Sequence, residues 1–149
     1  MNDDSALILR EGVKRFCEGN AAVFSERDMS SEASEFFRCH DTAHVVFGCD
    51  TSIFGEGILK IFTICGTTLG FWKHVKGYAD ADAFALFRQY SWRHLVGHIF
   101  KLVANVPRAF IHAKQMSKPW PWADHSLYLD RSIKEIRREF NIKVIQGAA

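Results

Sequence analysis

Residues 31–62 read SEASEFFRCHDTAHVVFGCDTSIFGEGILKIF. The stretch divides into two helices and a turn. Ser30 or Ser31 can cap a helix over 31–47, and Glu32 and Glu35 fall in its first turns, where the partial positive charge of a helix start favours carboxylates. Gly48 is a stop signal. The next four residues, C49-D-T-S52, have turn chemistry, and Asp50, Thr51 or Ser52 can cap a second helix expected over 53–73. Gly55, Gly57, Gly66 and Gly70 each lower its helix propensity by ~1 kcal/mol relative to Ala. That pattern implies close packing along one side, or a backbone that a ligand approaches.

Four metal-binding side chains fall within this hairpin: His40, Asp41, His44 and Glu56. A helix turns ~100° per residue, so from His40 as zero Asp41 lies at roughly 100° and His44 at roughly 40°. One ion can reach that arc, and a His pair at i, i+4 is a recurrent helical metal motif. Glu56 opens the second helix. An antiparallel hairpin would bring it to the same end as His44, completing two histidines and two carboxylates around one divalent metal. Zinc is the first choice for such a set, with iron(II) and manganese as alternatives; hard oxygen ligands tilt away from copper(I). Two histidines and one carboxylate also form the facial triad of non-haem iron enzymes. The competing reading is ordinary packing, which is what a lone helical histidine usually does.

The flanking sequence is helical too. Leu7, Ile8, Val13 and Phe16 give an irregular stripe over 4–17, with Gly19-Asn20 as its stop. Leu95, Ile99, Leu102 and Val106 mark one face of a helix over 82–106, which Pro107 should kink or end; a short helix over 108–115 follows. K118-P-W-P-W-A-D124 breaks the chain. A last helix is expected over 125–140, with Leu129, Ile133, Ile136 and Phe140 opposite Lys134, Arg137 and Arg138. No convincing strand pattern occurs. The expected fold is all-α: one domain over 1–149, a bundle of five to six helices. The 149 residues are enough for a core without staples, and 48% hydrophobic content argues against disorder.

Net charge is +2 and the basic residues are scattered, so no nucleic-acid partner is expected. Cys17, Cys39, Cys49 and Cys65 form no C-x-x-C pair, which speaks against a thiolate zinc site and for reduced thiols filling the core. The opening M-N-D-D-S-A lacks the order of a signal peptide, so a cytoplasmic location is expected. The apolar stretch Ile53–Trp72 contains Glu56 and Lys60, which fits a buried helix better than a membrane span. His94 and His98 form a second i, i+4 pair with no acid nearby, and packing is the expected role. Trp120 and Trp122 could plug the core or dip into a membrane interface. Arg137 and Arg138 read as a solvated face, with anionic lipid as the alternative. No P-loop, dinucleotide fingerprint or nucleophile elbow is found.

The H40-D-T-A-H44 motif, followed after eleven residues by E56, resembles the signature of the ubiquinone (coenzyme Q) biosynthesis protein four family. Gly48, the Gly55-Glu56 pair and Lys60 match further positions of that pattern. The aromatic break and the helix D130-R-S-I-K-E-I-R-R-E-F-N-I142 are similar as well, so the likeness spans roughly residues 35–143. Thr63 and Gly66 depart from it, standing where the family has polar side chains. The resemblance implies an all-helical fold, a metal at His40, Asp41, His44 and Glu56, and a prenylated aromatic quinone precursor as ligand. It further implies removal of the C1 carboxylate of a polyprenyl hydroxybenzoate, with the metal ligands as the catalytic residues. Membership of a quinone-biosynthesis complex at the inner face of a membrane is implied as well.

A metal can stabilise the charge left on an electron-rich ring when CO₂ departs, and a redox-active one could couple that loss to hydroxylation. Phe54, Phe62 and Phe71 are candidates for a prenyl groove, with core packing as the competing role. The alternative function is a non-catalytic lipid-binding or scaffold protein with a structural metal. The His40-Asp41 dyad also suggests an HD-type phosphohydrolase, which ranks third because no His precedes His40. The size suits a homodimer.

Overall fold

A computed structural model describes residues 6–20, 31–70, 72–73 and 92–145. Among the described residues five α-helices carry the fold: α1 (Leu9–Gly19), α2 (Ser31–Phe47), α3 (Ile53–Gly66), α4 (Trp92–Lys114) and α5 (Ile133–Phe140). A 3-10 turn, His125–Tyr128, precedes α5. No strand occurs among the described residues, only two isolated bridges, Ile8 with Ser132 and Thr67 with Trp120. The all-α expectation holds. The stretch 82–91, Phe71, and the His94 and His98 side chains lie outside the described residues.

The α2–α3 connection follows turn chemistry closely. Gly48 takes φ +65°, a region that excludes most side chains, and lets the chain leave α2. The Cys49 amide then donates back to the His44 carbonyl at 2.9 Å. Asp50 Oδ1 accepts from the Ser52 amide at 2.9 Å, and Ser52 Oγ caps α3 by accepting from the Gly55 amide at 3.0 Å. Of the three candidate caps, Ser52 is therefore the one used. α3 and α4 make the most extensive helix pair. Gly57 allows it, because a Cβ there would stand 2.5 Å from the Leu102 side chain. The close-packing reading of that glycine is thus shown.

α3 stops at Gly66, seven residues short of the expected 73. Thr67 turns extended (φ −124°, ψ 169°) and pairs with the tryptophan break: the Trp120 amide donates to the Gly66 carbonyl, and the Thr68 amide to the Trp120 carbonyl. A partner more than fifty residues away overrides the local helical pattern. Pro107 neither ends nor separates a helix but lies inside α4. It sits on the exposed side, and the residue whose carbonyl loses its helical donor, Val103, is itself exposed, so water can satisfy that oxygen. The expected 125–140 helix is broken by residues 129–132. Ser132 Oγ caps α5 by accepting from the Glu135 amide, so α5 begins only at Ile133.

One core draws on all five helices, with Leu9, Phe47, Phe62, Ala113, Trp120, Ile136 and Phe140 among its members. Phe62 stacks on Phe47 with ring centroids 4.8 Å apart. Trp120 is fully buried between Tyr128 and Phe140 and Trp122 nearly so, which makes the pair a plug over the core and removes the membrane-dipping role. The expected α4 stripe is only partly inward. Leu102, Ala109 and Ala113 face the core, whereas Ile99 and Val106 lie at its margin and are exposed.

Candidate metal centre

His40 and His44 stand one turn apart on α2, ring centroids 4.6 Å apart and nearly perpendicular. Both are buried. Across the turn, Glu56 presents both carboxylate oxygens to them: His44 Nε2 lies 3.0 Å from Oε1, and His40 Nε2 lies 3.6 Å from Oε2. The expected meeting of the two helix ends is therefore present, and ligand atoms of His40, His44 and Glu56 all lie within 4.8 Å of one another.

The supporting contacts orient these donors. His44 Nδ1 lies 3.0 Å from the Cys49 carbonyl oxygen. A carbonyl can only accept, so Nδ1 donates to it and Nε2 is left facing Glu56. A lone pair and a carboxylate oxygen 3.0 Å apart repel unless a cation, proton or metal, lies between them. Phe16 of α1 stacks on the other side of His44 at 4.8 Å, and Phe36 stacks on His40 at 6.4 Å. The backbone carbonyl behind one imidazole and the aromatic walls are what metal-ligating histidines ordinarily have around them.

Asp41 does not join the three. Its position, a further ~100° around α2, points it toward α1. Oδ2 lies 3.9 Å from Cys17 Sγ, and Oδ1 lies 3.8 Å from His40 Nδ1, the ring nitrogen that faces away from Glu56. The structure thus places Asp41 behind His40. Its buried Oδ1 has no hydrogen-bond partner among the described residues, an atom left to interact with the charge on His40.

The charges follow from this arrangement. Burial disfavours protonating His40, but the Asp41 and Glu56 carboxylates outweigh it and hold the imidazole up to about 9. Burial likewise disfavours ionising Glu56, yet hydrogen bonds and charge from His40 and His44 hold it far below the usual carboxylate range. In the metal-free protein the proton on His40 therefore supplies a positive charge beside Glu56. Zinc to nitrogen and oxygen bonds of ~2.0–2.1 Å place tetrahedral ligand atoms about 3.3 Å apart. The observed 3.0 and 3.6 Å bracket that value, so the donor set fits an ion.

Arg137 has a role the sequence did not suggest. Its Nε and NH2 donate to the Val46 and Val45 carbonyls at 2.9 and 2.8 Å, capping the end of α2 next to His44. It is half-buried rather than part of a solvated face, and only Arg138 is exposed. Phe54 and Phe62 are both buried in the core and present no surface to a groove. All four cysteines are free thiols, and burial pushes Cys39 up to about 11. A second gathering of ligand atoms occurs on the neighbouring face of α2, from Glu35, Cys39 and His125. Cys39 read as core filler, and nothing in its spacing links it to His125, 86 residues away.

Comparison with family models, with curated proteins and with solved structures finds no match. The class that fold and site define is an all-helical protein with a two-histidine, one-carboxylate group able to hold a metal.

Proposed function

We propose that this chain is a metal-dependent protein of ubiquinone biosynthesis that acts on a prenylated hydroxybenzoate, removing its C1 carboxylate. The observation that carries the reading is the gathering of one ligand atom each from His40, His44 and Glu56 within 4.8 Å of one another. The link to quinone chemistry rests on the spacing of the H-D-T-A-H motif and Glu56, in a fold that is helical as that resemblance implies. Among the described residues three ligand residues gather there rather than four, which also favours chemistry. Structural zinc sites close with four protein ligands, whereas catalytic ones keep a position open. The Glu56 side chain is 26% exposed while that of His44 is 1% exposed, so the open side is the one next to Glu56.

A divalent ion held by His40, His44 and Glu56, zinc in the first instance and iron(II) or manganese otherwise, would supply Lewis acidity toward a phenolic oxygen. The protein's own groups do the rest. The Cys49 carbonyl fixes the His44 ring, and Asp41 holds His40 from behind. The aromatic rings of Phe16 and Phe36 exclude water from the imidazoles. No described helix is long and apolar enough to cross a membrane. The reading places the protein peripherally at the inner membrane face, where Phe100, Val103, Phe110 and Ile111 of α4 give an apolar outer face to meet lipid. A homodimer through that face is the other use it supports.

The alternative reading is a scaffold or lipid-binding protein in which the ion pins α2 to α3; the near-complete burial of His44 favours it. Glu56→Gln separates the two. Metal-loaded wild type should release CO₂ from a prenylated 4-hydroxybenzoate, and Glu56→Gln should release none while melting within a few degrees of wild type. A large fall in melting temperature with no wild-type turnover would support the scaffold instead.

A further inference from the structure

We propose that Glu35, Cys39 and His125 form a second metal site, selective for a zinc-class ion, that ties the turn after Trp122 to α2. Cys39 Sγ lies 3.6 Å from Glu35 Oε1 and 3.6 Å from His125 Nδ1. Bonds of ~2.3 Å to sulfur and ~2.0–2.1 Å to nitrogen or oxygen give a tetrahedral edge of about 3.5 Å. Both observed gaps match that edge. Cys39 and His125 are buried, and Glu35 closes the outer side, its second oxygen paired with Arg38. The Trp122 carbonyl oxygen, 3.1 Å from His125 Nδ1, offers a fourth donor at similar spacing.

This site is separate from the His40–His44–Glu56 group. Phe36 touches the surroundings of both, stacked on His40 of the first group and against Trp122, near His125, at 5.6 Å. The donors also differ in kind. A thiolate is soft and selects zinc over iron(II) or manganese, whereas the first group has only imidazole and carboxylate. Loading exchanges the Cys39 Sγ proton for the ion and moves the His125 ring proton from Nδ1 to Nε2, so one proton leaves per ion bound. Because His125 opens the 3-10 turn that leads to α5, the ion would fasten the C-terminal third of the chain to α2.

Cobalt(II) titration of the reduced full chain tests this, since a sulfur ligand gives cobalt a near-ultraviolet charge-transfer band and the first group has no sulfur. Wild type should show the band, saturating at one thiolate-bound ion per chain. Cys39→Ser should abolish it, and His125→Gln should weaken cobalt affinity at this site at least tenfold. His44→Ala should lose one ion while keeping the band. Absence of the band in wild type, or its survival in Cys39→Ser, overturns the proposal. So does its loss in His44→Ala, which would make the two groups one site. Failure of the first group alone would appear as an intact band with no ion lost in His44→Ala.

Discussion

His44 owes its orientation to two hydrogen bonds with one residue: its carbonyl accepts from the Cys49 amide, and its ring donates to the Cys49 carbonyl. That His44 stands one turn before the Gly48 stop was legible, but its bonds to Cys49 were not. The role of Asp41 was not legible. Helical spacing alone allowed it to reach the ion, and only the position of α1 shows that its carboxylate lies beside Cys17, behind His40. Asp41→Asn should therefore keep the ion and lower metal affinity about 10- to 100-fold, as loss of a supporting partner does. Isothermal titration would show it, and complete loss of binding would make Asp41 a ligand after all. The metal-free protein should also carry a pH signature. His40 is raised from 6.5 to about 9, so its contribution is complete below pH 6.5 and disappears as pH climbs through 9. Glu56 is lowered from 4.5, so its contribution is present above that pH and disappears on acidification. In chelator, the melting temperature should peak between these limits and fall toward pH 9. His40→Gln should flatten the alkaline limb, and an already flat limb in wild type would contradict the pairing. Because the ion displaces the His40 proton, metal affinity should rise with pH across the same interval.

At the scale of elements, what decided the site was the α2–α3 turn. Gly48, Asp50 and Ser52 are local signals, and each does what its chemistry suggests. The misjudged boundaries of α3 and α4 depend on their tertiary surroundings. α3 ends early because Thr67 pairs with Trp120, and α4 runs through Pro107 because that residue faces solvent. Arg137 belongs with these. It reaches across 91 residues to the last carbonyls of α2, a contact that periodicity on its own helix could not disclose. Arg137→Met should lower stability by about 1.5–3 kcal/mol, the usual worth of hydrogen bonds to a charged group. Metal affinity should fall with it, since the capped turn carries His44. Chemical denaturation of both proteins in chelator would measure the first effect, and an unchanged midpoint would show that the cap contributes nothing.

For the molecule as a whole, helical periodicity and the lack of a strand pattern pointed correctly to an all-α fold, and the tryptophan break proved to be part of its core. Trp120 is 0% exposed, and its backbone bridges α3 to the C-terminal segment. Trp120→Ala should destabilise the fold by about 3–5 kcal/mol, as large aromatic deletions do, without altering affinity for anionic vesicles. A change in vesicle binding with stability intact would return Trp120 to the membrane surface. The outward face of α4 was not foreseen. Its stripe reads as core, yet Ile99 and Val106 of that stripe end up exposed because the inward arc is occupied by Leu102, Ala109 and Ala113. The central claim, that His40, His44 and Glu56 hold an ion, is tested most directly by metal analysis of wild type and His44→Ala, each reconstituted with zinc, iron(II) or manganese and freed of excess. The account predicts that His44→Ala carries one ion per chain fewer than wild type. Equal metal content in the two proteins would contradict it.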